Sequence, residues 1–312
     1  MDFINRKKDA TEDFKEDISH NYNLYIQKKI SFLLISSIFL LIIFFYSISV
    51  GSASVPLNDV IRVLLGQDIA ESSTIIWNIR LPRTLAAISA GVGLSVSGVA
   101  LQSILRNPLG SPYTLGISNA AAFGAAFSVI ILGAGTMHST GADAVIINNP
   151  YITTIIAFLW SLVATFMLLA ISKYKGASPE VMILIGVALS SLFTAGTMFL
   201  QYFANDVELA AVVFWTFGDV GRADWGELGI ITAVVVPATV YFLHNRWNYN
   251  AIDAGDETAR GLGVNVERIR LWGMLLASFV TAIIISFLGV IGFIGLVCPH
   301  IARRFIGDEQ RF

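Results

Sequence analysis

Charge is what this sequence has least of. Only 13% of its 312 residues are Asp, Glu, Lys or Arg, while 55% are hydrophobic, against about 25% charged in ordinary soluble chains. So few charges could not cover a soluble globule of this size without large exposed apolar patches, and the mean hydropathy of +0.70 points the same way. The chain is therefore read as an integral membrane protein. A basic surplus is also missing: 20 Lys and Arg stand against 22 Asp and Glu, a net charge of −2, which excludes the electrostatic footprint of a nucleic-acid binder or a polybasic lipid anchor. The lone Cys298 excludes an intramolecular disulfide framework. No G-x-x-x-x-G-K-[ST] loop occurs, so the chain does not cradle ATP in that way. The histidines, His20, His138, His244 and His300, lack ligand spacing, and neither a metal nor a cofactor is expected.

A charge at the bilayer centre costs at least about 2.5–3.5 kcal/mol on insertion scales, so uncharged windows of roughly 20 residues locate the spans. The first contains Ser31 to Val50, too long for a signal-peptide core. Others lie between Arg83 and Arg106, Arg106 and Asp143, Asp143 and Lys173, Glu180 and Asp206, and Glu227 and Arg246. The last runs from Leu271 to Ala302, where Gly289, Gly292, Gly295 and Pro299 divide a full helix ending near Leu288 from a short, broken segment. Non-helical backbone at that depth needs protein or a water-filled cavity to satisfy it, which marks a pathway-lining element. About eight spans result. With the amino terminus inside, all of the Lys and Arg except Arg62, Arg80, Arg83 and Arg222 fall on the inner side, so both termini are expected in the cytoplasm. The windows hold no Asp or Glu, which weighs against a proton- or sodium-coupled carrier, although backbone carbonyls also coordinate sodium.

Four segments hold more than hydrophobic filling. Arg80 and Arg83 stand at the outer mouth of span two against the positive-inside bias, either snorkelling at the interface or offering bidentate sites to carboxylates of an outer partner. Asn107, Pro108, Gly110 and Pro112 force a turn before Leu115 to Ser118. Between spans six and seven lies a polar loop, about 246–268, with Asp256 and Glu257 opening a short helix that ends in Gly261-Leu262-Gly263, either a solvated loop or a docking element. The fourth segment joins Gly292 and Gly295 to Cys298, Pro299, His300 and Arg303.

In this order the runs RLPRTLAA (80–87), LRNPLGSPYTLGIS (105–118), GDETARGLGV (255–264) and IGFIGLVCPHIAR (291–303) resemble the FecCD family, the permeases of ATP-driven importers for iron-siderophore, haem and cobalamin. The resemblance covers roughly residues 50–312. It implies an all-α, polytopic bundle of the type II ABC-importer permease kind, with about eight spans present of the family's ten, in the cell membrane. It further implies a homodimer, or a pair with a paralogous permease, with cytoplasmic ATPase subunits below and an extracytoplasmic substrate-binding protein above. Catalysis of ATP hydrolysis would belong to the separate ATPase, and this chain would be no enzyme. Asp253, Gly255, Asp256, Glu257, Ala259, Arg260, Gly261 and Gly263 match the ATPase-coupling helix, and Arg80 and Arg83 the docking site of the binding protein. Asn107, Pro108, Ser178, Pro179, Pro299 and His300 fall at the pathway and its gate. Residues 1–29 are read as a charged cytoplasmic tail, disordered or a surface helix, and residues 30–312 as the permease domain. Family members continue through two more spans after Ile301, so the chain is read as truncated at its carboxyl end. The competing readings are a carrier or channel independent of an ATPase, and a non-transporting membrane protein.

Overall fold

The computed structural model describes residues 2–137, 145–147, 150–174 and 178–307; His138, Asp143, Lys175 and Arg311 lie outside the described residues. The first helix, α1, runs unbroken from Asp2–Ser49, so the amino-terminal tail is backbone-continuous with the first span. Two short helices, α2 (Leu57–Leu64) and α3 (Ala70–Ile75), lead through one π-helical turn, Ile76–Arg80, into α4 (Leu81–Leu105). Then come α5 (Ile117–Ile130) and an antiparallel pair of strands, β1 (Gly135–Met137) and β2 (Val145–Ile147). These are followed by α6 (Pro150–Tyr174), α7 (Pro179–Phe203), α8 (Asp206–Thr216) and α9 (Trp225–His244). The chain closes with α10 (Arg246–Asp253), α11 (Asp256–Gly261), α12 (Val266–Leu288) and α13 (Ile294–Ile306).

Among the described residues six helices are long and apolar enough to cross a membrane: Tyr25–Ser49, Glu71–Leu105, Tyr151–Tyr174, Pro179–Phe203, Trp225–His244 and Val266–Leu288. The two remaining expected spans are α5, of 14 residues, and α13, of 13, which shares the last window with α12; each is about 20 Å long at 1.5 Å per residue and short of a 30 Å hydrocarbon core. The expected eight thus become six full-length helices and two short ones. The short ones are explained by the glycine and proline turns around them, which consume window length without adding helix.

The helices sort by how much of each apolar window other helices cover. That share is 61% for α12 and 44% for α4 but 0% for α1, so α4 and α12 form the centre and α1 the rim. Lipid offers no hydrophobic gain for helix association, and close approach through small residues takes its place. Ala86, Ala90, Gly93 and Ser97 on α4 are buried within the chain, and a Cβ at Gly93 would meet Ile284 and Val235 at 2.7 Å. Gly91 and Ser95 instead line an apolar groove of about 760 Å³ between α1, α4 and α13.

Loops at the helix ends follow local chemistry. Asn205 opens α8 and Asp224 opens α9 with complete capping boxes, closed by Glu208 and Glu227 and each contributing about 1 kcal/mol. The ends also sort by side. Phe32 of α1 stacks on Phe305 of α13 at 5.0 Å, and Arg303 of α13 donates to Gln102 near the end of α4. Ser103 of α4 bonds Asp253 of α10, and Arg270 of α12 bonds Asp256 of α11. One end of the bundle therefore gathers the segments that charge counting places on one side of the membrane.

Candidate functional site

The polar loop between α9 and α12 folds into α10 and α11 and is seated on that end of the bundle. Gly255 precedes α11 with φ of 113°, a left-handed geometry that a side chain would strain. Asp256 and Glu257 then occupy the first turn, where the unsatisfied N–H groups favour carboxylates, and Arg260 the last. Ala259, fully buried, packs with Ala251, Ile252 and Val266 beneath the helix.

The expected coupling residues divide into two sets. Facing the bundle, Asp256 accepts from Arg270 Nη2 at 3.1 and 3.2 Å through both carboxylate oxygens, and Arg106 Nε lies 4.0 Å from the same carboxylate. Arg270 is 5% exposed, and removing Asp256 leaves its charge buried without this carboxylate, a cost below the about 3–5 kcal/mol of a fully buried pair because Asp256 is partly exposed. Asp253 accepts from Ser103 Oγ at 3.1 Å. Asp256 and Ala259 thus face the bundle, and Asp253, though exposed, is tied to it through Ser103. The outward set is Glu257, Arg260, Gly261, Leu262 and Gly263, all exposed. Leu262 stands 69% exposed at the tip, and Arg260 pairs with Glu267 at 2.5 Å.

Arg106 sits where α4 ends. Its backbone is left-handed, φ 45° and ψ 41°, and the N–H groups of Arg106 and Asn107 bond Ser103 and Gln102 in a Schellman closure. Glycine usually fills that position, and a side chain there costs roughly 1–2 kcal/mol. The conformation turns the chain at once into the next segment, where Asn107 Oδ1 accepts from the N–H of Leu109 at 2.9 Å and Pro108 is exposed. The remaining residues expected at the gate lie on two further elements. Ser178 caps α7, accepting from Val181 at 3.4 Å, with Pro179 buried behind it; Glu180, one residue on, is within electrostatic reach of Arg106 and Arg270. On α13, Pro299 is buried and His300 exposed. The helix is anchored by Gln102, which is 2% exposed, accepts from Arg303 at 2.6 Å and donates to the Leu296 carbonyl at 3.4 Å.

At the opposite end the two arginines part. Arg80 is 8% exposed, and its Nη1 donates to the carbonyls of Ile48 at 2.7 Å and Ser49 at 2.8 Å while Nη2 donates to that of Ala53. It closes the end of α1 onto α4, and its guanidinium is not presented to an outer partner as the sequence suggested. Arg83 is exposed and stands on the rim of the apolar groove. Close by, Trp225 Nε1 donates to the Trp77 carbonyl at 2.8 Å, and the two rings stack at 6.2 Å. Burial draws the Arg222 guanidinium below its ordinary value, against the opposite pull of Asp219 and Glu227.

Sequence reasoning missed Gln102, Ser103 and Arg270, and named Arg303 only as the end of the fourth segment. Arg270 carried a signal: a charge in the second turn of an apolar helix requires a partner, and the acidic loop before it offers one. Among the described residues no group of three His, Cys, Asp or Glu side chains comes together.

The fold and these two polar ends define a multi-pass helical membrane protein of the transport-permease class. The FecCD transport family matches residues 39–312, and the chain belongs to that family. It is 52% identical over 296 residues to a Methanocaldococcus jannaschii protein provisionally named an ABC transporter permease, covering 95% of this chain and 84% of that one. It is 32% identical to the hemin transport system permease protein HmuU of Yersinia pestis, over 87% of this chain and 79% of the relative. A solved inward-facing structure, provisionally described as a metal-chelate type ABC transporter, superposes with a TM-score of 0.76 at 26% identity, covering 90% of this chain and 83% of that one.

Proposed function

We propose that this chain is the membrane-spanning subunit of an ATP-driven importer that carries a metal chelate, of the iron-siderophore, haem or cobalamin kind, into the cytoplasm. The observation that carries the reading is the division of α11 into an inner face tied to α4 and α12 and an outer face left exposed at Glu257, Arg260, Gly261 and Leu262. A segment that were merely a connection would have no need of ionic seating on two central helices. A segment that receives force from a cytoplasmic ATPase needs both faces. The end carrying α11 faces the cytoplasm, in keeping with the distribution of Lys and Arg, and hydrolysis is performed by the separate ATPase.

On this reading the chelate arrives from an extracytoplasmic binding protein at the end carrying Arg83. It passes between this chain and a second permease, identical or paralogous. The inner gate draws on the turn at Asn107 and Pro108, the start of α7 at Ser178 and Pro179, and α13 at Pro299 and His300. The hemin permease relative and the metal-chelate type structure support this class of cargo.

The test is co-purification with the ATPase encoded nearest this gene, then reconstitution with the binding protein and measurement of ATP-dependent uptake of labelled ferric siderophore, haem or cobalamin. Uptake that requires all three components is the expected result. Uptake without an ATPase would establish the independent carrier instead.

A further inference from the structure

Asp256 lies at the meeting point of three elements. It belongs to α11, receives two hydrogen bonds from Arg270 of α12, and has Arg106 of α4 at 4.0 Å. The two arginines come from the two most enclosed spans of the bundle. One residue before α11 stands Gly255 in a left-handed conformation, and the exposed outer face begins at Glu257, the residue after Asp256. A second tie lies one turn away, from Ser103 of α4 to Asp253 of α10. Arg270 is 5% exposed, Ser103 fully buried and Ala259 fully buried.

These contacts carry paired charges, whereas the centre of the bundle is held by close packing of small and apolar side chains with a few hydroxyl hydrogen bonds such as Ser89–Thr232 and Ser128–Thr153. Apolar packing between helices is non-directional and permits sliding. A charged contact adds direction to such packing: the Asp256 carboxylate receives both of its bonds from one nitrogen, Nη2, of the buried Arg270 guanidinium. We propose that the Asp256–Arg270–Arg106 cluster is a rigid joint that makes α11 move as one body with α4 and α12, so that displacement of the exposed α11 surface is delivered to the centre of the bundle. Asp256 and Arg270 are on this view positioning residues for transport, and neither touches the cargo. The transmission rests on the proposed docking of an ATPase at α11; the joint itself does not.

The experiment therefore has two arms. In the first, the full chain alone, in lipid nanodiscs and in a Cys298→Ser background, carries spin labels at Leu109→Cys and Leu262→Cys, both exposed positions. A narrow distance distribution is expected with Asp256 in place, a broad one with Asp256→Asn, and recovery with Asp256→Glu, which keeps the charge. In the second, the complex with the ATPase and binding protein is reconstituted, and ATP consumed per chelate imported is measured. Asp256→Asn should raise that ratio about fivefold or more, the lower end of ordinary coupling between sites, in a complex that still assembles; Asp256→Glu should bring it back toward the starting value. Should Asp256→Asn fail to insert, Arg106→Gln, at a side chain 37% exposed, tests the same cluster with less risk to folding.

An unchanged distance distribution in the Asn and Gln variants would overturn the joint. A broadened distribution with an unchanged ATP-to-chelate ratio would overturn the transmission. A wild-type chain that recruits no ATPase overturns the transmission together with the functional reading beneath it, and the spin-label arm then shows whether the joint stands without them.

Discussion

Replacing Gly98 with alanine tests the packing on which the inner end of the bundle depends. Gly98 on α4 faces the first turn of α13, and a Cβ built there would overlap the Gly295 carbonyl oxygen, lying 2.6 Å from the carbonyl carbon and 2.7 Å from Cα. Carbon atoms in comfortable contact stand about 3.5–4.0 Å apart, so α13 must withdraw by roughly 1 Å. The obstacle is backbone, which cannot rotate away as a side chain would. Overpacking of this kind costs about 1–3 kcal/mol. The withdrawal also strains the Gln102 bonds to Arg303 and Leu296, and a hydrogen bond to a charged group contributes about 1.5–3 kcal/mol. The assay is built into the chain. Cys298, its sole cysteine, lies on α13 against the groove shared with α1 and α4, so its rate of alkylation by a maleimide in detergent or nanodiscs reports the seating of α13. Gly98→Ala should speed the labelling and lower the midpoint of thermal unfolding, whereas Gly91→Ala, where a Cβ meets nothing within 4 Å, should change neither. Labelling and melting of Gly98→Ala at wild-type values would refute the reasoning.

The outer end offers a contrast of two arginines. Arg80→Ala should destabilise the chain by about 3 kcal/mol, since three carbonyls lose a charged donor; Arg80→Lys should recover only part, because an ammonium cannot span the same fork. Arg83→Ala should leave the melting temperature unchanged and weaken association with the binding protein, measured by surface plasmon resonance at two salt concentrations. Trp225→Phe should cost about 1 kcal/mol in thermal unfolding through loss of the bond to the Trp77 carbonyl. Burial raises the pKa of Tyr249 on α10 above the ordinary phenol range. The folded state therefore favours the neutral hydroxyl, and the stability this contributes is complete below about pH 10 and lost as pH climbs through the raised value. Melting curves recorded across alkaline pH should show that loss in the wild type and a smaller one in Tyr249→Phe.

Much of the architecture was legible because the membrane imposes simple constraints. Uncharged windows found all six long helices, since a buried charge is expensive wherever it stands, and the grouping of basic residues agrees with the grouping of helix ends in space. Length was less legible. The window from Arg106 to Asp143 has room for a full span, yet Pro108, Gly110, Pro112 and Gly116 delay the helix until Ile117, and Gly133 in a left-handed conformation follows its end. The site was legible as a set of segments and illegible as a set of contacts. Glu257 and Asp256 are neighbours of the same chemistry, and only the rotation of α11 on its seat decides which is exposed and which grips Arg270. Arg80 and Arg83 present the same difficulty where the π-helical turn passes into α4: three residues apart they share a helix face in principle, but the segment from Ile48 to Ala53 lies against the first.

The two kinds of contact at the inner end set what each neighbouring element is able to do. Where α13 meets α4, glycine backbones touch, so small displacements are resisted by hard repulsion in one direction and by little in the other, apart from the Gln102 bonds at the helix end. Where α11 meets α4 and α12, a charged contact opposes separation, and Arg270, 5% exposed, has little solvent to take the place of Asp256. If the bundle opens and closes as proposed, its freedom lies at α13 and its stiffness at α11. The pairing predicts that Gly98→Ala and Asp256→Asn act independently: alkylation of Cys298 should respond to the first and not to the second, and the Leu109–Leu262 label distance to the second and not to the first. Contacts this far apart in kind, with no shared partner, should give additive effects on the melting temperature of the double variant. A double variant markedly more or less stable than the sum would mean that α11 and α13 move as one unit, and that the proposed separation of a stiff drive from a free gate is wrong.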